Sequence, residues 1–186
     1  MILHIKNMVS NSCKLIVKSE LEKLGWHYIK VALGEVEIKE CLSPEEQNLL
    51  NVELKKWGFV LMDDKKNILI EKIKISIIEM VYYSEEKLKV NLSDFLSEKL
   101  DYNYNYLAGV FSESQGINIE QFYLTCKIER IKELLTYNEF TIGEIADKLH
   151  YSNVAHLSNQ FKKMTGLTPS QYKNLRHKRR KPLENV

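Results

Sequence analysis

Polar side chains that can bind nucleic acid cluster near the end of the chain, in a segment that predicts a helix from Asn153 to Thr165. An Asn amide can pair with N6 and N7 of adenine, and lysines gain affinity by releasing counterions from phosphates. This segment therefore predicts a helix that contacts duplex DNA. The candidate contacts are Asn153, His156, Ser158, Asn159 and Gln160, with Lys162 and Lys163 on the end that faces the DNA backbone.

The sequence gives no comparable indication of catalysis or of a metal site. It contains no cluster of His, Cys, Asp and Glu at ligand spacing and no glycine-rich phosphate loop. Its three cysteines, Cys13, Cys41 and Cys126, are far apart and form no CxxC pair, so neither a disulfide framework nor a zinc knuckle is indicated. We therefore expect no enzyme, no cofactor and no bound metal.

The candidate helix belongs to a motif that the chain contains twice. Glu98-Lys99-Leu100 is echoed by Asp147-Lys148-Leu149, and the later matches lie 50 positions apart. Each copy predicts a helix, a tight turn and a second helix, which is the unit that places its second helix in the major groove of DNA. The later matched pairs are Leu107 and Leu157, Phe111 and Phe161, Gly116-Ile117 and Gly166-Leu167, and Gln121-Phe122 and Gln171-Tyr172.

Capping residues define the helices of both copies. Thr141 and Glu144 form a capping box at the start of the second copy, and Thr168-Pro169 begins the last helix. Gly116 and Gly166 end the two DNA-facing helices. The predicted helices of the first copy and the connection are Leu92–Leu100, Tyr104–Gln115 and Phe122–Leu135.

The repeated half resembles the AraC-type (arabinose-regulator) DNA-binding domain over residues 90–175. The resemblance implies two helix-turn-helix units, joined by a helix, that read successive major-groove segments. His150 departs from the family, which usually has glycine at this turn, so we expect a positive φ with modest strain. The residues that match in order and spacing are Ile145-Ala146, Tyr151-Ser152, Leu157-Ser158, Phe161-Lys162-Lys163, Gly166-Leu167-Thr168-Pro169 and Tyr172.

The two copies are not equally suited to bind DNA. In the first, the reader positions of the family fall on Asn105, Tyr106, Ala108 and Gly109, and the lysine positions hold Ser112 and Glu113. Between residues 91 and 126, five acidic side chains oppose the single Lys99. We expect at least one of Tyr104 and Tyr106 to pack in the core rather than against a base. The candidate contacts of this copy are Asn103, Asn105 and Tyr106.

Positive charge is concentrated after the second copy. From Lys162 onward, eight basic residues face only Glu184. Positive charge beside a helix-turn-helix is expected for phosphate contacts, and Arg176 is a further candidate. The run Lys178–Lys181 taken alone fits a solvated tail equally well.

The N-terminal half predicts a second domain. Residues 1–64 alternate strands and helices in the order βαββαβ, which fits a small ferredoxin-like sandwich. Met8 to Cys13 resembles the Met-x-Cys-x-x-Cys loop of heavy-metal-associated domains. Ser10 occupies the first cysteine position, and Cu(I)-type ions need paired thiolates for tight binding, so we expect the shape without the metal.

A helix over residues 67–83 carries Ile70, Ile73, Ile77 and Met80 at steps of three and four. This apolar stripe needs a partner surface. It can pack within its own chain, or it can form a dimer, because the four residues occupy a and d positions of two heptads.

We therefore expect an α+β protein: a ferredoxin-like domain (1–64), a connecting helix (65–89), an all-α double helix-turn-helix domain (90–175) and a basic tail (176–186). With no signal peptide or membrane span, the cytoplasm is the expected location. The expected function is sequence-specific binding of double-stranded DNA in transcription regulation, mainly through the second helix-turn-helix. We expect a homodimer on DNA, held by the 67–83 helix or by the exposed edge of the N-terminal sheet, with an unknown effector. The alternative is a metal-handling or protein-interaction module whose helix-turn-helix half is an interaction platform.

Overall fold

The computed structural model describes residues 1–84 and 91–175. A four-stranded sheet with two helices comes first, and an all-helical region follows. The strands are β1 (Ile2–Lys6), β2 (Tyr28–Ala32), β3 (Glu35–Ile38) and β4 (Val60–Met62). The helices are α1 (Asn11–Lys23), α2 (Pro44–Lys55), α3 (Lys65–Tyr82), α4 (Leu92–Leu100), α5 (Tyr104–Gln115), α6 (Ile119–Tyr137), α7 (Ile142–Lys148), α8 (Val154–Thr165) and α9 (Pro169–Lys173).

The sheet has the strand order β2-β3-β1-β4, and each neighbouring pair is antiparallel. Ile5 and Val36 of the sheet are fully buried in one core with Leu21 of α1 and Leu50 of α2. We call this cluster the sheet core. Burial of alternate strand residues against α1 and α2 is what fixes the register of the strands.

Helix α3 lies in the core of the first helix-turn-helix unit, which we define as α4 and α5. Ile73 and Ile77 are fully buried together with Leu107, Phe111 and Phe122. We call this cluster the α3 core. Ile70, Ile73 and Ile77 of the apolar stripe are therefore buried by packing within the chain, which is the first of the two alternatives, whereas Met80 is half-buried.

Helix α3 also packs against the sheet. The Asn7 backbone N–H donates to Glu71 Oε1 at 2.8 Å. Gly34, between β2 and β3, lies against α3 so closely that an added Cβ would stand 2.1 Å from Ile75 Cδ1. One face of α3 therefore packs against the N-terminal half, and another face completes the core of the first helix-turn-helix unit.

The predicted helices of both units are present, and local hydrogen bonds explain their bounds. Connecting helix α6 begins earlier than predicted, at Ile119, because Asn118 and Gln121 form a capping box that the sequence analysis missed. His150 has the expected positive φ, +58°, and Asp101 has the same value at the matching turn of the first unit.

No helix in the described part of the chain is both long and apolar enough to cross a lipid bilayer. Within residues 1–84 and 91–175, no group of three or more His, Cys, Asp or Glu side chains is arranged to hold a metal ion. Ser10 instead caps α1, accepting a hydrogen bond from the Cys13 N–H at 3.4 Å.

Two glycines with the same backbone conformation test how closely α3 and the sheet pack. Gly34→Ala and Gly58→Ala both place a Cβ at positive φ, but only the first meets a neighbouring atom. Gly58→Ala should lower the free energy of unfolding by about 1 kcal/mol. Gly34→Ala should lower it by about 1–3 kcal/mol more, because Ile75 must move. Urea denaturation measures both, and equal losses would contradict the close contact.

Candidate nucleic-acid interface

Helix α8 and its N-cap present five of their seven predicted contacts to solvent, three of them uncharged side chains and two of them lysines. Asn153 is the N-cap residue, and its Oδ1 accepts a hydrogen bond from the His156 N–H at 2.8 Å. The side chains of Asn153, His156 and Asn159 are exposed on this surface. His156 Nδ1 lies 3.1 Å from Ser152 Oγ, which restrains the ring before any ligand is bound.

Two predicted contacts of α8 are less available than expected. Ser158 and Gln160 were predicted to be exposed, but both are half-buried. Gln160 Oε1 accepts a hydrogen bond from the Tyr151 hydroxyl at 2.5 Å. Gln160 is therefore committed to a contact inside the second unit, which consists of α7 and α8, because its position on α8 turns toward Tyr151.

The last turn of α8 carries the positive charge. Lys162 and Lys163 are exposed, and neither forms an ion pair with any residue that the structure describes. Cations also stabilise the C-terminal end of a helix dipole. Two ammonium groups therefore lie about one helical turn beyond the exposed amide of Asn159. Arg176 lies outside the described residues.

Helix α5 of the first unit presents a different surface. Its N-cap is Asn103, whose Oδ1 accepts from the Asn105 N–H at 2.9 Å. Tyr106 is exposed and stacks on Tyr102 with a centroid distance of 5.5 Å. Tyr104 packs against the α3 core and donates to Glu120 Oε1, so the prediction that one of the two tyrosines packs inside is confirmed.

The last turn of α5 has the opposite charge to that of α8. Glu113 stands where α8 has Lys163, and its carboxylate is 2.7 Å from Lys66 Nζ of α3. This hydrogen bond lowers the pKa of Glu113, so the side chain is anionic at neutral pH. Both groups are solvent-exposed, and the ion pair contributes little to stability. It does place an acid where a phosphate contact would need a cation.

A buried lysine that was not among the predicted residues lies against Tyr151, in the turn between α7 and α8. Lys127 of α6 is 8% exposed, and its Nζ lies 3.9 Å from the centroid of the Tyr151 ring. The signal was available: Lys127 lies between Cys126 and Ile128, both buried on the same helix. A lysine between two buried residues of one helix is unusual enough to mark a position for closer attention.

Residues 96–175 match the family model described as a helix-turn-helix domain. Residues 96–175 are therefore similar to the helix-turn-helix domains of bacterial transcription regulators. The C-terminal domain of AraT, a response regulator from Geobacillus stearothermophilus, shares this fold, with a TM-score of 0.50 and 23% identity over 59% of this chain and 87% of that one.

Two bacterial relatives extend the comparison. The transcriptional regulator YtdP of Bacillus subtilis is 28% identical over 156 residues, 79% of this chain and 20% of its own length. A helix-turn-helix-type regulator of Staphylococcus aureus is 33% identical over 114 residues, 61% of this chain and 14% of its own length. The chain therefore spans one fifth or less of the relatives that it matches.

Substitutions at Asn153 separate its role as a cap from its role in binding. Asn153→Ala removes the acceptor for the His156 N–H and should lower the free energy of unfolding by about 1 kcal/mol. Asn153→Asp keeps an acceptor and should retain stability, while its negative charge should weaken binding to duplex DNA. Chemical denaturation and fluorescence anisotropy measure the two effects. Equal stability of the wild type and Asn153→Ala would show that the cap does not support α8.

Proposed function

We propose that this chain regulates transcription by binding a specific duplex DNA site, and that its second helix-turn-helix unit makes most of the contacts. The observation that carries this proposal is the contrast between the last turns of α8 and α5. Lys162 and Lys163 are free to meet phosphates, whereas Glu113 would repel them and is paired with Lys66. Phosphate neutralisation supplies the sequence-independent part of DNA affinity, so this charge difference favours α8.

Base reading in this proposal also falls to α8. Asn159 presents an exposed amide one turn before the lysines, and Asn is suited to paired hydrogen bonds with adenine in the major groove. The matching position of α5 is Gly109, which has no side chain to reach a base edge. Asn105 and Tyr106 remain exposed, and we assign them an auxiliary role at the neighbouring groove.

We propose that residues 1–64 form a ferredoxin-like domain that has kept the shape of a heavy-metal-associated domain without its metal. The antiparallel strand order β2-β3-β1-β4 supports the first part. The capping role of Ser10 supports the second, because a hydroxyl replaces a thiolate beside Cys13. We further propose that α3 belongs with residues 90–175, since it completes the core of the first unit. Sensing and assembly are the functions we propose for the N-terminal domain.

A homodimer on DNA completes the proposal. Non-specific phosphate contacts give only ~10⁻⁴–10⁻⁶ M affinity, and specific sites typically reach about 10⁻⁸ M, so one strong recognition helix per chain should fall short. Two paired chains reach the higher affinity, because binding of the first chain raises the effective concentration of the second at the DNA. The edge strand β2, where Ile29 is exposed, offers a surface for pairing. Sedimentation of the DNA complex should give two chains per duplex, and one chain at nanomolar affinity would contradict it.

Removing the two lysines tests the role of α8. The double variant Lys162→Ala, Lys163→Ala should weaken binding to all duplexes alike and reduce the slope of log K against log salt by about 0.9 for each lost phosphate contact. The matched control is Lys55→Ala, Lys56→Ala, an adjacent lysine pair near the C-terminal end of α2. Fluorescence anisotropy across a salt series measures both. An unchanged slope in the first variant would mean that α8 does not contact phosphates.

A further inference from the structure

The buried ammonium group of Lys127 lies between two aromatic rings. Its Nζ is 3.9 Å from the centroid of Tyr151 and 5.5 Å from that of Tyr123. No carboxylate among the described residues forms an ion pair with it. The charge is therefore stabilised by the negative faces of the rings, a cation–π arrangement.

Tyr151 connects this cation to the recognition helix. Its hydroxyl donates to Gln160 Oε1 at 2.5 Å, and its ring meets the His156 ring edge-on at 5.3 Å. Its backbone N–H donates to the Ala146 carbonyl at 2.8 Å, which holds the turn between α7 and α8. A continuous set of contacts thus runs from connecting helix α6, through Lys127 and Tyr151, to the half of α8 that carries His156.

A lysine is energetically unfavourable at this buried position. Burial of an ammonium group without a counter-ion is unfavourable, and an apolar side chain of similar length would fill the same space without that cost. Burial lowers the pKa of Lys127 to about 8. A strongly perturbed group in contact with a functional element is a candidate for a role beyond packing.

We propose that the protonated ammonium of Lys127 is a positioning residue: it fixes the Tyr151 ring and, through that ring, the orientation of α8 that binds DNA. This inference rests on the proposed function of α8. Loss of the proton, or of the cation, frees the Tyr151 ring to move with Gln160 and His156. The expected consequence is weaker and less specific binding in a chain that remains folded.

The groups around Lys127 allow the dependence of DNA binding on its protonation to be measured as a function of pH. Tyr123 on α6 and Tyr151 in the turn face it, and burial raises the pKa of both, so they stay neutral as pH rises past 8. Lys148 and His150 lie on the α7 side of the same small cavity, and α3 contributes only Met80 and Val81, which do not titrate. Deprotonation of Lys127 should therefore weaken DNA binding between pH 7 and 9.

The experiment compares the full chain with Lys127→Arg, Lys127→Met and Lys18→Met. Arg remains protonated throughout this range, and Met removes the cation. Lys18→Met is the matched control, because Lys18 also lies over a tyrosine ring, 5.2 Å from the Tyr28 centroid, but in the N-terminal half. The probe is a duplex selected from random sequences by the wild type. Affinity is measured at pH 7 and pH 9, and amide hydrogen exchange is measured in the free proteins.

The wild type and Lys18→Met should lose about fivefold in affinity from pH 7 to pH 9. Lys127→Met should bind the duplex about fivefold more weakly than the wild type already at pH 7, and its affinity should not fall further at pH 9. The affinity of Lys127→Arg should be the same at both pH values. Amides of residues 151–160 should exchange faster in Lys127→Met, with those of α5 unchanged. The same pH dependence in the wild type and Lys127→Arg, or unchanged exchange in Lys127→Met, would overturn the inference. Failure of the wild type to bind any duplex would overturn the proposed function instead, and the exchange comparison would still decide the role of Lys127.

Discussion

The structure depends on the burial of one helix face. Ile73 and Ile77 of α3 are fully buried among Leu107, Phe111 and Phe122, and loss of a side chain at either site would leave a cavity between α3, α5 and α6. Truncations of this kind typically cost about 2–5 kcal/mol, a large part of the stability of a domain of this size. Because α3 also holds the sheet, this one core fixes the N-terminal half relative to the first helix-turn-helix unit.

This constraint explains why the two units differ. In the first unit, the apolar face of α5 packs against α3. Glu113, in the last turn of α5, forms an ion pair with Lys66 of α3. The second unit has a separate core, formed by α6, α7, α8 and α9 around Leu157 and Phe161, and α3 takes no part in it. Within residues 1–84 and 91–175, α8 packs mainly against α7 and α9 and forms no ion pair with the N-terminal half. In the proposed function, the first unit therefore supports the second, and the second unit binds DNA.

Periodicity and capping residues predicted most of the fold from the sequence, because local hydrogen bonds and apolar spacing determine helix ends. The bounds of α4 and α5 follow from Asn91, Asn103 and Gly116. The partial burial of Gln160 and the contact of Lys127 with the Tyr151 ring could not be predicted, because both depend on where Tyr151 lies after α7 and α8 pack together. The ion pair between Glu113 and Lys66 could not be predicted either, since the two residues are 47 positions apart in the sequence.

The central claim is that the second unit reads the bases while the first supports it. Selection of binding sites from random duplex DNA, at low and physiological salt and with the number of bound chains measured on the same complexes, tests it most directly. The account predicts one major-groove segment of selected bases for each bound chain. Two equally selected segments about one helical turn apart, roughly 10 base pairs, under a single chain would contradict it.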